Sequence, residues 1–252
     1  MDFDFGQHRI AVNMPTRKAL MDAMRDRFAN GTGFALATIN LDHMVKLRHD
    51  PVFAQAYAAQ DLVVADGNPI AWLAAVAGER IEVLPGSDLV IPICELAASM
   101  NVAVALVGST DAALSGAARA LEAQVPGLRV TVTIAPGGRF DPYGAEATNI
   151  LSALEASDAG LCFLALGAPR QEVFAARARD LVPRMGFASV GAGLDFLSGH
   201  QTRAPLLVRR LRLEWLWRAL SSPLRLGPRY LRCIAILPSL YLDARRAKRG
   251  TP

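Results

Sequence analysis

The sequence predicts an α/β fold in which a mostly parallel sheet is covered by helices on both faces. Short apolar runs rich in β-branched residues alternate with longer, Ala-rich stretches of helical periodicity. The apolar runs are nearly continuous, as is typical of parallel strands buried on both faces. With 252 residues and a hydrophobic fraction of 52%, the chain is large enough for one sizeable α/β domain and an appendage.

Strand and helix patterns follow one another along the chain. The predicted strands are Ile10–Val12, Phe34–Ile39, Leu62–Ala65, Val102–Val107, Val130–Ile134, Leu161–Leu166 and Phe187–Val190. The clearest predicted helices are Asp111–Gln124, Ala145–Ala156 and Pro169–Leu181. Pro169 stands where a first-turn proline belongs, with Gln171 and Glu172 just inside the helix.

The last fifty residues differ from the rest of the chain in charge. The chain has 27 Lys+Arg and 23 Asp+Glu, and residues 203–252 hold 12 of the former and 2 of the latter. That segment therefore carries +10, and residues 1–202 carry −6. We predict an α/β domain in residues 1–202 and a basic helical appendage in residues 203–252. We expect Pro223, Pro228 and Pro238 to interrupt the helices of the appendage.

Cationic and aromatic residues are interleaved in this appendage. Trp215, Trp217 and Tyr230 lie among the seven arginines from Arg209 to Arg232. The pattern suits an anionic membrane surface, where long arginines reach headgroups and aromatic rings lie at the interface. It would also suit nucleic acid, or a solvated basic tail. We favour the membrane, because Leu and Trp exceed what a phosphate-tracking groove needs and because the remainder of the chain is acidic.

The composition disfavours several classes of protein. No run of about 18 apolar residues appears, so we expect no helix that spans a bilayer. Asp2 and Asp4 stand where a secretory signal would be basic and then apolar. Cys94, Cys162 and Cys233 are isolated on apolar elements, so we expect buried free thiols and a reducing cytoplasm. No Cys/His cluster has metal-ligand spacing. We therefore expect a cytoplasmic protein that touches a membrane without crossing it.

Hydrogen-bonding residues follow two of the predicted strands. In Rossmann-like sheets, ligands bind beyond the carboxyl ends of the strands. Alternation places Thr38 and Asn40 on one side, although Asn40 alone is more typical of the cap of a helix that starts near Leu41. Asp66 follows the next strand and precedes a Gly-Asn-Pro turn. A carboxylate there can act as a general base on a substrate hydroxyl, or it can cap the helix at Ile70–Val76, and the sequence favours neither.

Two further strand ends are rich in glycine and permit a nucleotide. Gly108 and Ser109 lie between a strand and a helix start, where backbone N–H groups attract phosphate. The stretch lacks the full GxGxxG pattern and the P-loop lysine, so it names no nucleotide. Residues 190–196 combine two glycines with Asp195, a carboxylate that could bind ribose hydroxyls. Either stretch could also be an ordinary αβ connection.

Two catalytic patterns do not occur in the sequence. A metal-dependent nucleotide-sugar enzyme is expected to carry a carboxylate pair after a strand, but the one Asp-x-Asp, at residues 2–4, precedes the first predicted strand. We therefore expect arginines or backbone dipoles to meet the charge of a leaving group. No Ser-His-Asp arrangement stands out. The four histidines lie in unrelated contexts, at His8, His43, His49 and His200.

Short, distinct motifs lie at these strand ends and in the appendage. They lie at Thr38–Asn40, Ala65–Pro69, Gly86–Asp88, Leu166–Glu172, Gly191–Phe196, Gly199, Arg203–Pro205, Glu214–Arg218 and Pro223–Tyr230. In this order, over roughly residues 9–231, they resemble the WecG/TagA/CpsF family of bacterial glycosyltransferases. Any one of them is weak, but in register they are specific.

The resemblance implies a reaction and a location. It implies transfer of a sugar from a UDP-sugar, with inversion, onto a polyprenyl-diphosphate-linked saccharide at the cytoplasmic face of the bacterial inner membrane, for cell-surface polysaccharide synthesis. It implies neither a metal nor a cofactor. The UDP-sugar itself is a substrate. It also implies that the appendage docks peripherally on the membrane and completes the active site.

The resemblance also assigns roles to residues. Asp66 would be the general base on the acceptor hydroxyl. The sugars would be positioned by Thr38, Asn40 and Gln171, and Asp195 would bind the nucleoside. The two diphosphates would be neutralised by Arg218, Arg225 and Arg229. Together with the glycine-rich turn at Gly108 and Ser109, these residues form the predicted site.

One position departs from the family pattern. An arginine is usual where this chain has Val83, and Arg80 lies three residues earlier, with the opposite strand parity if the segment is extended. Either another arginine substitutes, or the donor or acceptor differs from those of the better-known members.

Other function classes fit the sequence less well. A UDP-sugar-binding module tethered to the membrane, without turnover, is the alternative. A dinucleotide dehydrogenase is poorer, because the first strand lacks the glycine fingerprint and the acidic residue about 20 positions on. The sequence leaves open whether the chain forms a homo-oligomer.

Overall fold

The computed structural model describes residues 1–197 and 223–250. Six parallel strands form one sheet, with the spatial order β4-β3-β8-β7-β5-β6, and β1 and β2 form a separate antiparallel hairpin. The strands are β1 Asp2–Phe5, β2 His8–Ala11, β3 Phe34–Ile39, β4 Leu62–Ala65, β5 Ala103–Gly108, β6 Val130–Ile134, β7 Ala159–Ala165 and β8 Gly186–Ser189.

Helices connect successive strands and cover both faces of the sheet. They are α1 Arg17–Ala29, α2 Leu41–Leu47, α3 Pro51–Ala58, α4 Asn68–Ala77, α5 Gly86–Ser99, α6 Asp111–Gln124, α7 Ala145–Glu155, α8 Arg170–Leu181, α9 Gly193–Leu197 and α10 Pro223–Gly250. The predicted parallel α/β architecture is therefore confirmed. Each of the seven predicted strands is present, with ends displaced by no more than two residues.

Strands β3, β5 and β8 are buried along their whole length. One cluster of apolar side chains lies on the face of the sheet covered by α1, α5 and α6, and a second lies on the face covered by α7 and α8. Because parallel neighbours present their carboxyl ends at one edge, the five strand ends that carry the predicted motifs meet there.

A third apolar cluster joins the hairpin, α2, α3, α4 and α10. Leu240 and Ala244 of α10 are 5% and 1% exposed and pack in it. The ring of Tyr241 stacks on Trp72 of α4, with the two ring centroids 5.6 Å apart. The described part of the basic appendage is thus anchored on the α/β core.

The expectation that prolines interrupt the helices of the appendage is wrong for the described part. Helix α10 continues through Pro228 and Pro238. Both prolines are exposed on its outer side. A proline inside a helix removes one backbone hydrogen bond and crowds the preceding turn, at a cost of about 3 kcal/mol. Burial of Leu226, Cys233 and Leu240 on the inner side offsets that cost.

The cysteines are free and buried, as predicted. Cys94, Cys162 and Cys233 form no disulfide. Burial raises the pKa of the Cys94 thiol to about 12, and it raises the pKa of Cys162 further. These thiols are therefore protonated packing groups.

Candidate active site

Asp66 and Asn40 come together at the carboxyl ends of β4 and β3. The Asn40 Nδ2 donates to the Asp66 Oδ2 over 3.3 Å. The two strands are paired in register, with Thr38 opposite Val64 and Ile39 opposite Ala65. Each polar residue directly follows its strand, so the pairing places both side chains at one edge. Asp66 is half-buried there.

Asp66 is not the N-cap residue of the helix that follows it. Helix α4 has Gly67 as its N-cap, with φ 107°. The positive φ of Gly67 turns the chain directly after Asp66, in a conformation that costs little only for glycine. Asp66 therefore lies one residue ahead of the N-cap position.

Asn40, in contrast, performs the capping role that the sequence favoured. It is the N-cap of α2, and its Oδ1 accepts from the His43 N–H over 3.1 Å. The cap uses the oxygen of the amide, and the contact with Asp66 uses the nitrogen. One side chain therefore fixes the start of α2 and the position of the Asp66 carboxylate.

The predicted nucleotide residues also meet. The Ser109 hydroxyl donates to the Asp195 carboxylate, joining the end of β5 to α9. Gly108 has φ 124°, and a Cβ there would lie 2.4 Å from the Ala165 carbonyl oxygen of β7. Such a contact is far inside van der Waals distance, so only glycine fits. Ser109 itself has φ 49°, an uncommon conformation for a residue with a side chain.

Close packing at two glycines brings further motifs to the same edge. A Cβ on Gly86 would lie 3.2 Å from the Cα of Val190 and 3.5 Å from the Thr38 methyl. A Cβ on Gly193 would lie 3.3 Å from the Cα of Ser87. The start of α5 therefore lies against the ends of β3 and β8. Thr38 is 5% exposed and faces this contact.

Helices α2 and α10 bring two cations to one carboxylate. The Asp42 carboxylate lies 2.9 Å from the Lys46 Nζ and 3.0 Å from the Arg229 Nε. The Arg229 Nε makes no aligned hydrogen bond, so that contact is an ion pair. Burial alone would raise the pKa of Asp42, but the Lys46 hydrogen bond and the Arg229 charge outweigh it and hold the pKa below its usual value. Lys46 also donates to the Ala168 carbonyl over 3.1 Å.

The other two predicted arginines are less completely placed. Arg225 lies on α10, but its side chain is outside the described part of the structure. Arg218 falls in the segment 198–222, which is not described. Of the three diphosphate ligands implied by the resemblance, the structure places the side chain of Arg229.

Gln171 is buried, and its amide is bound at both ends within the protein. It is 3% exposed. Its Oε1 accepts from the Gly167 N–H over 3.2 Å, and its Nε2 donates to the Glu172 Oε1 over 2.9 Å. Glu172, which sequence reasoning passed over, is fully buried. Burial raises the pKa of this carboxyl to about 7.

A neutral histidine and a tyrosine pack behind the site. The His43 Nδ1 lies 3.2 Å from the Tyr57 hydroxyl, and both residues are buried. Burial lowers the pKa of His43 to about 3 and raises the pKa of Tyr57, to which the charges of Glu172 and Asp66 add. His43 is thus a packing residue.

The departure at Val83 lies next to the candidate base. Val83 forms a parallel bridge with Ala65, and the Leu84 N–H donates to the Ala65 carbonyl over 2.7 Å. Position 83 therefore flanks the strand end that carries Asp66. Arg80 is exposed.

Metal-ligand clusters and membrane-spanning helices do not occur in the described ranges. Within residues 1–197 and 223–250, no three His, Cys, Asp or Glu side chains are grouped as a metal site requires. No helix in the same ranges combines the length and apolar character needed to cross a membrane.

Comparison with known proteins identifies the family. The chain is 24% identical over 194 residues to an N-acetylglucosaminyldiphosphoundecaprenol N-acetyl-β-D-mannosaminyltransferase of Bacillus spizizenii, a match that covers 77% of this chain and 73% of that one. The profile of the glycosyl transferase WecG/TagA/CpsF family matches residues 7–250. The match spans almost the whole chain, and the chain therefore belongs to the WecG/TagA/CpsF family of glycosyl transferases.

Proposed function

We propose that this protein transfers a sugar from a UDP-sugar, with inversion, onto a polyprenyl-diphosphate-linked saccharide, for cell-surface polysaccharide synthesis. The transferred sugar is a hexose, a uronic acid or an N-acetylhexosamine. The observation that carries the proposal is the Asp66 carboxylate, held by Asn40 at the start of the helix on which Asp42 meets Lys46 and Arg229 of α10. The name of the Bacillus relative supports the acceptor class, since it specifies a diphosphoundecaprenol-linked sugar.

In the proposed reaction Asp66 is the general base. It takes the proton of an acceptor hydroxyl while that oxygen forms a bond to the anomeric carbon of the donor sugar. The bond between the anomeric carbon and the phosphate oxygen breaks, and UDP leaves from the opposite face. The β linkage in the name of the relative is the product expected when an α-linked UDP-sugar is inverted. A positioned base typically contributes about 10²–10⁴-fold in rate.

Different residues at the carboxyl edge of the sheet bind different parts of the two substrates. Gly108, Ser109 and Asp195 lie together, and a glycine turn with a carboxylate suits the phosphates and ribose of the UDP. Arg229, with Arg218 and Arg225, neutralises diphosphate charge, so the reaction needs no divalent cation. Thr38, Asn40 and Gln171 position the sugars between these groups.

The protein acts at the cytoplasmic face of the inner membrane. Leu231, Ile234 and Leu242 of α10 are 69%, 56% and 53% exposed. With Pro238 they follow the helical spacing i, i+3, i+7 and i+11, so they form one outward apolar stripe. Exposed arginines, among them Arg232 and Arg246, flank it. An apolar stripe edged by cations suits an anionic bilayer interface.

A transfer assay tests the proposal. UDP-glucose, UDP-glucuronic acid, UDP-N-acetylglucosamine and UDP-N-acetylmannosamine are each incubated with short-chain polyprenyl-diphosphate N-acetylglucosamine, and UDP release and the lipid product are measured. We expect one donor to yield a product with inverted anomeric configuration and a rate that EDTA leaves unchanged. A retained configuration overturns inversion, and EDTA-sensitive turnover overturns metal independence. UDP binding by calorimetry without turnover of any donor favours a membrane-tethered binding module.

Membrane association has its own test. Liposomes that contain phosphatidylglycerol should carry the protein upward in a density gradient, and liposomes of phosphatidylcholine alone should carry less. Changing Leu231 and Ile234 together to serine should reduce flotation. Unchanged flotation in this variant would remove the α10 stripe from the docking surface.

A further inference from the structure

Glu172 is a buried carboxyl group that cannot close a capping box with its N-cap residue. Pro169 is the N-cap of α8, so Glu172 is the third residue of the helix. A glutamate at this position ordinarily reaches back to the N–H of the N-cap residue. Proline has no N–H, so this bond cannot form here. The side chain is instead turned inward and is 0% exposed.

The surroundings of Glu172 suit an uncharged group. Its Oε1 accepts from the neutral amide of Gln171 over 2.9 Å. Its Oε2 is buried and has no hydrogen-bond partner in the described part of the chain. The ammonium of Lys46, the cation that acts on Glu172 through its charge, is bound to Asp42 and to the Ala168 carbonyl. An ionised carboxylate in such a place would be very costly, whereas a carboxylic acid is tolerated.

The hydrogen bond from Gln171 links Glu172 to the loop 167–169. The Gln171 Nε2 donates to Glu172, and the Gln171 Oε1 accepts from the Gly167 N–H. Ala168, the next residue of the loop, packs in the apolar cluster that contains Ile39 and Ala65. Those two residues directly precede Asn40 and Asp66. Whatever fixes the Gln171 amide therefore also fixes the loop beside the candidate base.

We propose that Glu172, as a neutral carboxylic acid, is a positioning residue that orients the Gln171 amide and holds the loop 167–169 against the Asp66 end of the site. This inference rests on the proposed transferase activity for its kinetic consequence. Ionisation of Glu172 would place an unpaired charge behind the loop and disturb the amide. Activity is therefore expected to fall as the pH rises above about 7.

The other titratable groups around Glu172 do not produce this fall. On α2, His43 has a pKa of about 3, and on α3 the pKa of Tyr57 is raised, so both stay neutral near pH 7. On β7 the Cys162 thiol has a raised pKa as well. Lys46 remains paired with Asp42. Asp66 must be ionised to act as a base, so its titration makes activity rise with pH, in the opposite sense.

Glu172→Gln and Glu172→Ala, with Glu95→Gln as the matched control, test the inference. Glutamine keeps the shape and cannot ionise, so it should keep activity within about threefold of wild type at pH 6.5 and abolish the fall above pH 7. Alanine should lower kcat/KM on the order of 10–100-fold, since small displacements near reacting atoms are costly. Glu95 is exposed on α5, so its variant should follow the wild-type pH profile. Loss of activity in Glu172→Gln as large as in Glu172→Ala would overturn the proposal, and so would a basic limb that persists in Glu172→Gln.

A readout without turnover separates this inference from the proposed function. At pH 6 the infrared spectrum of the wild-type protein should contain a protonated-carboxyl band that Glu172→Gln lacks. The side-chain amide resonances of Gln171 should be unchanged in Glu172→Gln and shifted in Glu172→Ala. Absence of the band, or unshifted resonances in Glu172→Ala, would refute the positioning role even in an active enzyme. Their presence would support it even if no donor is turned over.

Discussion

Arg229 of α10 forms an ion pair with Asp42 of α2, with Nε and Oδ1 3.0 Å apart. Asp42 is two residues beyond Asn40, the residue that contacts Asp66. A cation from the far end of the chain is therefore fixed in the first turn of the helix that Asn40 caps. The contact joins the basic appendage to the chemistry of the core and makes Arg229 the first residue to test.

Arg229→Gln should weaken binding of the diphosphate acceptor. A charge-assisted hydrogen bond contributes about 1.5–3 kcal/mol, so we expect KM for a short-chain acceptor to rise about 10–100-fold with a smaller change in kcat. Arg232→Gln is the control, because Arg232 is exposed and its Nε donates to Pro228 of its own helix. Steady-state kinetics in detergent measure both. Equal effects of the two substitutions would mean that Arg229 acts through general charge alone.

Asp66→Asn should remove the base and leave the fold intact. The amide has nearly the same size as the carboxylate but cannot accept the proton, so kcat should fall by about 10²–10⁴-fold. KM for the donor should change little. Asp4→Asn, at an exposed position on β1, should be close to wild type. Wild-type turnover by Asp66→Asn would exclude general-base catalysis by this residue.

Substitutions of Asn40 separate its two contacts. Asn40→Ser keeps an N-cap oxygen for the His43 N–H and loses the bond to Asp66, whereas Asn40→Ala loses both. Loss of a cap costs about 1 kcal/mol, so alanine should lower the free energy of unfolding by that amount and serine should leave it nearly unchanged. Both variants should lose activity. Urea denaturation measures the stability of each variant, and initial rates measure its activity. A fully active Asn40→Ser would leave Asn40 with the capping role alone.

Gly108→Ala should be far more damaging than an alanine at another positive-φ glycine. The new Cβ would meet the Ala165 carbonyl oxygen at 2.4 Å. Backbone strain and overpacking together should cost about 2–5 kcal/mol. Gly127 has φ 82° with no atom within 4 Å of its virtual Cβ, so Gly127→Ala should cost about 1–2 kcal/mol. Thermal unfolding of the two variants tests the difference, and similar melting temperatures would contradict the close approach of β5 and β7.

Glu172→Gln should become increasingly stabilising as the pH rises. Burial raises the pKa of Glu172 from 4.5 to about 7, so the folded state holds a proton that the unfolded state has lost between these values. Wild-type stability therefore falls relative to the variant as the pH rises through this window, by a total of roughly 3 kcal/mol. Denaturation of both proteins at pH 4.5 and pH 8 measures the change. A difference that is independent of pH would mean that Glu172 is ionised in the folded protein.

The parallel sheet was predictable because its strands are short, continuous apolar runs. Strand β1 was not predicted, although Asp2-Phe3-Asp4-Phe5 alternates and both phenylalanines are buried. Its acids are solvated on one face, and its strand character depends on pairing with β2. The alternation of period two was the signal that could have found it.

The site was predictable where the chemistry lies in sequence motifs at strand ends. Asp66, Asn40, Ser109 and Asp195 all lie where the motifs placed them, and the two contacts among them follow from sheet pairing and loop packing. The sequence could not decide which residue is the N-cap of α4, and in the structure it is Gly67, with φ 107°.

Other parts of the site depend on contacts between distant segments. Asp42 and Lys46 are an i, i+4 pair that many surface helices carry, and Arg229 joins them only because α10 packs on α2. Glu172 looks like an ordinary first-turn acid in the sequence. In the folded protein its side chain is fully buried, and its backbone carbonyl accepts from Gln60, which lies beyond the end of α3.

The stacking of Trp72 on Tyr241 affects how the protein would tolerate removal of α10. Cutting the chain ahead of α10 would strip the cover from Trp72 and from the apolar cluster that receives Leu240 and Ala244. The uncovered apolar patch would be prone to aggregation. Helix α4, which begins two residues after Asp66, would also lose the contact with α10. Loss of activity in a truncated protein would then reflect aggregation and not the loss of the arginines. Point substitutions of the outer arginines are therefore the cleaner test of this helix.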